Sequence, residues 1–353
     1  MAVQPIRVLI IGAHPDDADI KAGGTASRWC DLGHVVRLVS LTDGRAGHQT
    51  MHGPRLALRR RAEAQAAAAV IGAAYEVLDI PDGGLDDRLE NRHRLIRLIR
   101  GFRPDLILTH RSTDYHPDHR FAGLLVQDAS YTHPRKFLHG AALDLARRIR
   151  SGWPPVRLSS RGTLAPLALP RPPPPHERTR AGTSWDSYYL LTVPGVCPDT
   201  PHLATTPVIL HVSDAFKKPG RFEPHVVVDI EDQLDRLVGM LHCYESQFYE
   251  WLPYNAGHLD QVPEGDADRR EWLAGRIRGR IRPLADRFRD LVVRTYGPEA
   301  GERARYIEAF EVSEYGAGLD AEARSRLFPF LPTTRTAGHP GSRKEWVDVP
   351  ADD

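Results

Sequence analysis

Through the first 130 positions, short apolar runs alternate with longer segments in which apolar residues return every three or four positions. Residues 7–11, Arg7-Val8-Leu9-Ile10-Ile11, form a compact β-rich run that stops at Gly12, the pattern of a buried strand. Residues 16–32 carry a helical pattern, and Gly33 supplies the stop. The alternation then continues with strands at residues 35–41, 76–80 and 105–109. Helices are predicted at residues 56–71, closed by Gly72, at 88–102, where Leu95, Ile96, Leu98 and Ile99 mark the apolar face, and at 119–129. Strand followed by helix, repeated in this way, predicts an α/β fold of Rossmann-like type. It would be a mostly parallel sheet with helices on both faces and its ligands at the carboxyl ends of strands.

The pattern lapses over residues 153–180, which include the run Pro172-Pro173-Pro174-Pro175. Such a stretch reads as an extended surface insertion, with a substrate-gating lid as the sharper alternative. Beyond it, strands are predicted at residues 208–212 and 226–230, one helix over 233–248 and a longer basic helix over 272–296. The expected organisation is a catalytic α/β region over 1–150, a Pro-rich insertion over 151–184, the rest of the catalytic domain with a C-terminal α+β extension over 185–334, and a frayed tail over 335–353.

Composition narrows the function classes. With 47 basic against 46 acidic residues and a net charge of +1, the chain has no electrostatic footprint for nucleic acid or an anionic membrane. Its three cysteines, Cys30, Cys197 and Cys243, form no CxxC pair, which argues against a disulfide framework or a thiolate zinc site. No apolar run is long enough for stable membrane insertion, so a cytoplasmic location is the default expectation. Oligomeric state is left open, a homo-oligomer included.

Two clusters carry the chemistry. His14-Pro15-Asp16-Asp17 follows the first strand and His116-Pro117-Asp118-His119 follows the strand at 105–109. Each has a structural alternative, because proline at the first helical position and aspartate in the first turn are ordinary helix starts. Two such starts, each adding imidazole and surplus acid at a strand end, point instead to one divided metal site. Two histidines and one aspartate would hold a zinc ion with a position open to water. The remaining carboxylate and imidazole would serve as base and as electrophile or acid. Spacing alone does not choose between Asp16 and Asp17 as the ligand.

These residues, with Gly23-Gly24-Thr25, Leu41-Thr42-Asp43-Gly44, Arg60 with Glu63, and Asp114-Tyr115 ahead of the second cluster, resemble the PIG-L/LmbE family of zinc-dependent N-deacetylases. The resemblance covers roughly residues 6–130 and resumes weakly at Ser246-Gln247. It implies that His14, Asp17 and His119 bind Zn2+, with Fe2+ as the alternative. It further implies that Asp16 acts as base on the metal's water, that His116 polarises the amide oxygen or protonates the departing amine, and that Asp118 orients an imidazole. Arg60 becomes a candidate sugar or phosphate contact, against the plain alternative of a solvated arginine in Arg59-Arg60-Arg61. The implied substrate is a small N-acetylated amino sugar or its conjugate, or a larger sugar amide.

Other classes fit less well. A ferrous oxygenase would use His14, Asp16 and His119, but its usual scaffold is β-rich. A non-catalytic sugar-binding protein would not need Asp16 and His116 intact. Gly12-Ala13-His14 is no dinucleotide fingerprint, and no Walker A lysine or G-x-S-x-G elbow occurs. His242 reads as a structural histidine, Asp82-Gly83-Gly84 as a turn, and the aromatic stretch 248–255 as core or interface ahead of a sugar-pocket wall.

Overall fold

The computed structural model describes residues 4–130 and 190–332. The Pro-rich stretch and the C-terminal tail expected from the sequence lie outside the described residues. The N-terminal half alternates as the apolar pattern requires: β1 (Arg7–Gly12), α1 (Asp17–Asp31), β2 (Val35–Thr42), α2 (Gly53–Val70), β3 (Ala74–Ile80), α3 (Leu89–Phe102), β4 (Leu106–Thr109) and α4 (Pro117–Ser130). Strands β5 (Val208–Val212), β6 (Val226–Asp229) and β7 (Ile307–Val312) join the same seven-stranded sheet, in the order β3-β2-β1-β4-β5-β7-β6. Strands β1 to β5 pair in parallel, and β7 runs antiparallel to both β5 and β6. The fold is therefore α/β, Rossmann-like and mostly parallel.

Burial follows the two-residue period of the strands. Val8, Ile10, Leu38, Leu106 and Leu108 pack in one layer with Ala22 and Trp29 of α1. Leu9, Ile11, Val39 and Ile107 pack in the other with Leu95, Ile96 and Ile99 of α3 and Leu125 of α4. Both faces are covered, which is why these strands read as continuous apolar runs. The chain leaves β1 for β2 on one side, while β4 pairs on the other. The strand order thus reverses at β1, and the crevice at its carboxyl end is where such sheets hold ligands.

Two predicted helices are interrupted. In place of one helix over 233–248, α5 (Leu234–His242) stops, and a π-helical segment (Ser246–Trp251) follows and runs into a helical turn at Leu252–Asn255. The reason lies on α2. Glu63 accepts the Ser246 amide at 2.9 Å and its hydroxyl at 2.5 Å, so this amide has an acceptor outside the helical ladder. In place of one helix over 272–296, α6 (Asp266–Arg287) begins earlier and gives way at Phe288 to α7 (Arg289–Tyr296). Pro283 removes one donor from the last turns of α6. Short helices α8 (Pro298–Arg303) and α9 (Ala321–Leu327) flank β7 in sequence. All three cysteines are free, and among the described residues no helix is long and apolar enough to cross a membrane.

Candidate active site

The two clusters meet at the switch point. His14 lies just past the end of β1, after Ala13, and the β4–α4 connection carries His110, Asp114 and His116 before His119 on α4. Two glycines permit the approach. A Cβ on Gly12 would lie 2.7 Å from the Asp17 Cβ, and one on Gly123 would lie 2.5 Å from the His110 carbonyl oxygen. The first lets α1 start against the strand end, and the second seats α4 on the connection after β4.

Neither cluster serves merely as a helix start. Asp16 occupies the N-cap position of α1, yet its side chain makes no capping hydrogen bond. Its backbone lies at φ 132°, a left-handed setting that costs a non-glycine residue about 1–3 kcal/mol. The Arg60 guanidinium donates to Asp16 Oδ2 at 3.1 Å and also to the Pro15 carbonyl. Arg60 is only 2% exposed, which excludes the solvated-arginine alternative. Asp17 turns back instead, its Oδ2 accepting the amides of Ala13 at 3.1 Å and His14 at 2.8 Å. Adjacent carboxylates thus face different partners.

The imidazoles are held from behind. His14 Nε2 lies 3.2 Å from Asp118 Oδ2 and 3.1 Å from Asp82 Oδ1, and its Nδ1 lies 3.4 Å from Asp17 Oδ2. His119 Nδ1 lies 3.2 Å from Asp114 Oδ1, with its Nε2 3.4 Å from Asp17 Oδ2. Each ring therefore has one nitrogen tied to a carboxylate and the other turned to a shared aspartate oxygen, the arrangement in which histidine ligates a metal. Asp118 is itself fixed by the Gly83 amide at 2.7 Å and the Leu85 amide at 3.2 Å. His116 Nδ1 accepts the Asp118 amide at 3.2 Å, so the proton of its neutral ring sits on Nε2.

Ligand atoms converge within 4.8 Å in three groups: His14, His116 and His119; Asp17, His110 and His119; and His14, Asp82 and Asp118. The set expected from the resemblance, His14, Asp17 and His119, draws on the first two groups. Asp82 and His110 were missed by the sequence reading. Asp82 sits in a turn that composition marks only as a turn. His110 ends the β4 run, and its ring stacks on His119 at a centroid distance of 4.3 Å. A histidine at the carboxyl end of a predicted strand was the available signal. His242 stays outside the cluster, bonded to the Tyr249 hydroxyl at 2.7 Å and to Asp266 at 3.0 Å.

Burial and charge separate the protonation states. Burial pushes the Asp16 carboxyl up to about 6, with Arg60 opposing. Burial also disfavours charge on Asp17, but His119 and His110 outweigh it and hold that carboxyl well below its usual range. Burial opposes protonation of His14 and His119 too. Carboxylate partners overcome this, holding His14 well above its ordinary value and His119 at about 9. Burial, then His14 and His119, lower His116. Imidazole nitrogen and carboxylate oxygen, with no thiolate in any of the three groups, are a donor set that fits Zn2+ or Fe2+.

His14, Asp16, Asp17, Asp82, His116 and His119 line a cleft of about 810 Å³, to which the π-helical segment adds Gln247 and Trp251. Gln247 donates to the Gly47 carbonyl at 3.0 Å. The aromatic stretch divides: Phe248 and Tyr249 are core, Trp251 faces the cleft and Tyr254 is 53% exposed.

Known proteins match the segment that carries these residues. Residues 9–130 match the family described as PIG-L, GlcNAc-PI de-N-acetylase. A diacetylchitobiose deacetylase of Thermococcus kodakarensis is 38% identical over 125 residues, covering 34% of this chain and 47% of that one. A 4-oxalmesaconate hydratase of Pseudomonas putida is 31% identical over 129 residues, covering 34% and 50%. The chain thus spans about half the length of the curated relatives it matches. The fold is shared with the solved N,N'-diacetylchitobiose deacetylase of Pyrococcus horikoshii, at a TM-score of 0.54 and 19% identity, over 88% of this chain and 85% of that one. The stretch that matches the PIG-L family, residues 9–130, spans both histidine clusters and their supporting acids.

Proposed function

We propose that the protein is a metal-dependent amidohydrolase that removes an acetyl group from a small N-acetylated amino sugar or its conjugate. One observation carries the reading: two imidazoles, each tied to a carboxylate, turn their other nitrogens to Asp17 Oδ2, while Asp16 is held apart by Arg60. His14, Asp17 and His119 would hold the ion, with zinc the first candidate and ferrous iron the second. The ion would supply Lewis acidity, making water a nucleophile near neutral pH.

The chain's own residues do the rest. Asp16, buried and pushed up to about 6, is poised to take a proton from water and pass it to the leaving nitrogen. Arg60 fixes the orientation of that carboxylate and lines the same cleft, where it can meet a sugar hydroxyl or an anionic group. His116, kept neutral with its proton on Nε2, is a donor for the oxygen that gains charge as the amide carbon becomes tetrahedral. Asp118 holds the His14 ring, and Trp251 offers an apolar face to a sugar ring.

A second reading has specific support. The 31% identical relative is a hydratase, and adding water to a conjugated double bond also needs an activated water and a polarised oxygen. The parallel α/β sheet does not favour the oxygenase alternative. The test is to incubate metal-loaded protein with N-acetylglucosamine conjugates and, separately, with 4-oxalmesaconate. Equal yields of acetate and free amine are expected. Loss of that acid's conjugated absorbance with no acetate from any conjugate would favour the hydratase.

A further inference from the structure

The cleft is electrostatically polarised. Carboxylates crowd its metal-binding end, but one helical turn beyond Asp17, on the same face of α1, Lys21 lines it as well. Arg280 of α6 lines it too. The same two cations line a neighbouring pocket of about 400 Å³, together with Arg287 and Glu308.

The other charges around this neighbouring pocket are already engaged. Asp214 is held by both arms of Arg111, at 2.6 and 2.9 Å, and Glu308 accepts the amides of Gly24 and Thr25. Arg287 is committed to the backbone carbonyl of Asp214 at 2.9 Å. Lys21 makes one hydrogen bond, to the Ser213 carbonyl at 2.8 Å, which leaves two of its three donors. Arg280 forms no hydrogen bond or ion pair among the described residues. Burial, and next the Arg280 guanidinium, hold the Lys21 ammonium below its ordinary value. The fold thus sets two cations side by side, a cost that a bound anion would relieve.

We infer that Lys21 and Arg280 form an anion subsite beside the catalytic cluster, and that the preferred substrate carries a phosphate or carboxylate attached to its amide-bearing sugar. The inference rests on the amidohydrolase reading for the position of the amide, but the subsite can be tested without turnover.

Arg280 is exposed, so Arg280→Gln leaves the packing intact. Acetate release is measured on N-acetylglucosamine, its 1-phosphate and its 6-phosphate. Wild-type kcat/KM is expected to be at least about tenfold higher for one phosphate than for the neutral sugar, a difference of about 1.4 kcal/mol. Arg280→Gln should bring that ratio close to one, and Arg280→Glu should invert it. A ratio that Arg280→Gln does not change overturns the subsite. If none of the three sugars is hydrolysed, the amidohydrolase reading is at fault, and calorimetric binding of the same sugars decides the subsite alone. Tighter wild-type binding of a phosphorylated sugar that is lost in Arg280→Gln supports it, and equal binding of all three sugars by wild type overturns it.

Discussion

Asp118 shows how much one carboxylate does here. It is fully buried, it restrains His14 Nε2, and it accepts two amides from the turn after β3. In Asp118→Asn one oxygen becomes a donor, so the ring or one amide loses its acceptor. Removing such a support typically weakens metal affinity about 10–100-fold, and an unsatisfied buried amide costs about 1–3 kcal/mol. Competition against a fluorescent chelator should show the affinity loss, and an unchanged affinity would mean that Asp118 does not orient the ligand. The position of Asp118 behind an imidazole was legible from the motif. The part played by Asp82 was not, because a turn composition says where the chain reverses and nothing about which way its acid faces. Spacing alone did not separate Asp17 from Asp16, and only the family resemblance distinguished them; their different partners depend on the Asp16 backbone angle and on Arg60, a residue 44 positions away.

At the scale of elements, the alternation marked β1 to β4 and α1 to α4 because the strands, buried on both faces, read as continuous apolar runs, while the helices return apolar residues every three or four positions. It failed where a long-range polar contact competes with the helix. Glu63 draws Ser246 out of the ladder, and the π-helical segment then delivers Gln247 and Trp251 to the cleft, a use found at functional sites elsewhere. No local period encodes a partner 183 residues away. Gly123 is the tightest of the element contacts at the site. Gly123→Ala would press a methyl against the His110 and Arg111 backbone, and overpacking of this kind costs about 1–3 kcal/mol. Urea denaturation should show that loss together with weaker metal binding, since His110 and α4 shift together. Normal stability would show that α4 can move away freely.

Across the whole molecule, Glu308 ties the C-terminal strand to the first helix. From β7 it accepts Gly24 and Thr25 of α1, more than 280 residues away in sequence. Burial raises its carboxyl to about 7 despite those hydrogen bonds. A folded-state value above the unfolded one means that the neutral form stabilises the fold. That contribution is complete below about pH 4.5 and is lost as pH rises through about 7, some 3 kcal/mol in all. The stability difference between wild type and Glu308→Gln should therefore shift against wild type over that range. Parallel pH profiles would show that Glu308 keeps its ordinary value.

The central claim is the division of labour between adjacent aspartates, Asp17 for the metal and Asp16 for the proton. It is tested most directly by measuring bound metal and acetate release on the same samples of wild type, Asp16→Ala and His14→Ala. Wild type should carry close to one ion with full activity, Asp16→Ala close to one ion with most activity lost, and His14→Ala should lose the ion. An Asp16→Ala protein that loses its metal, yet keeps the wild-type rate per metal bound, would contradict it.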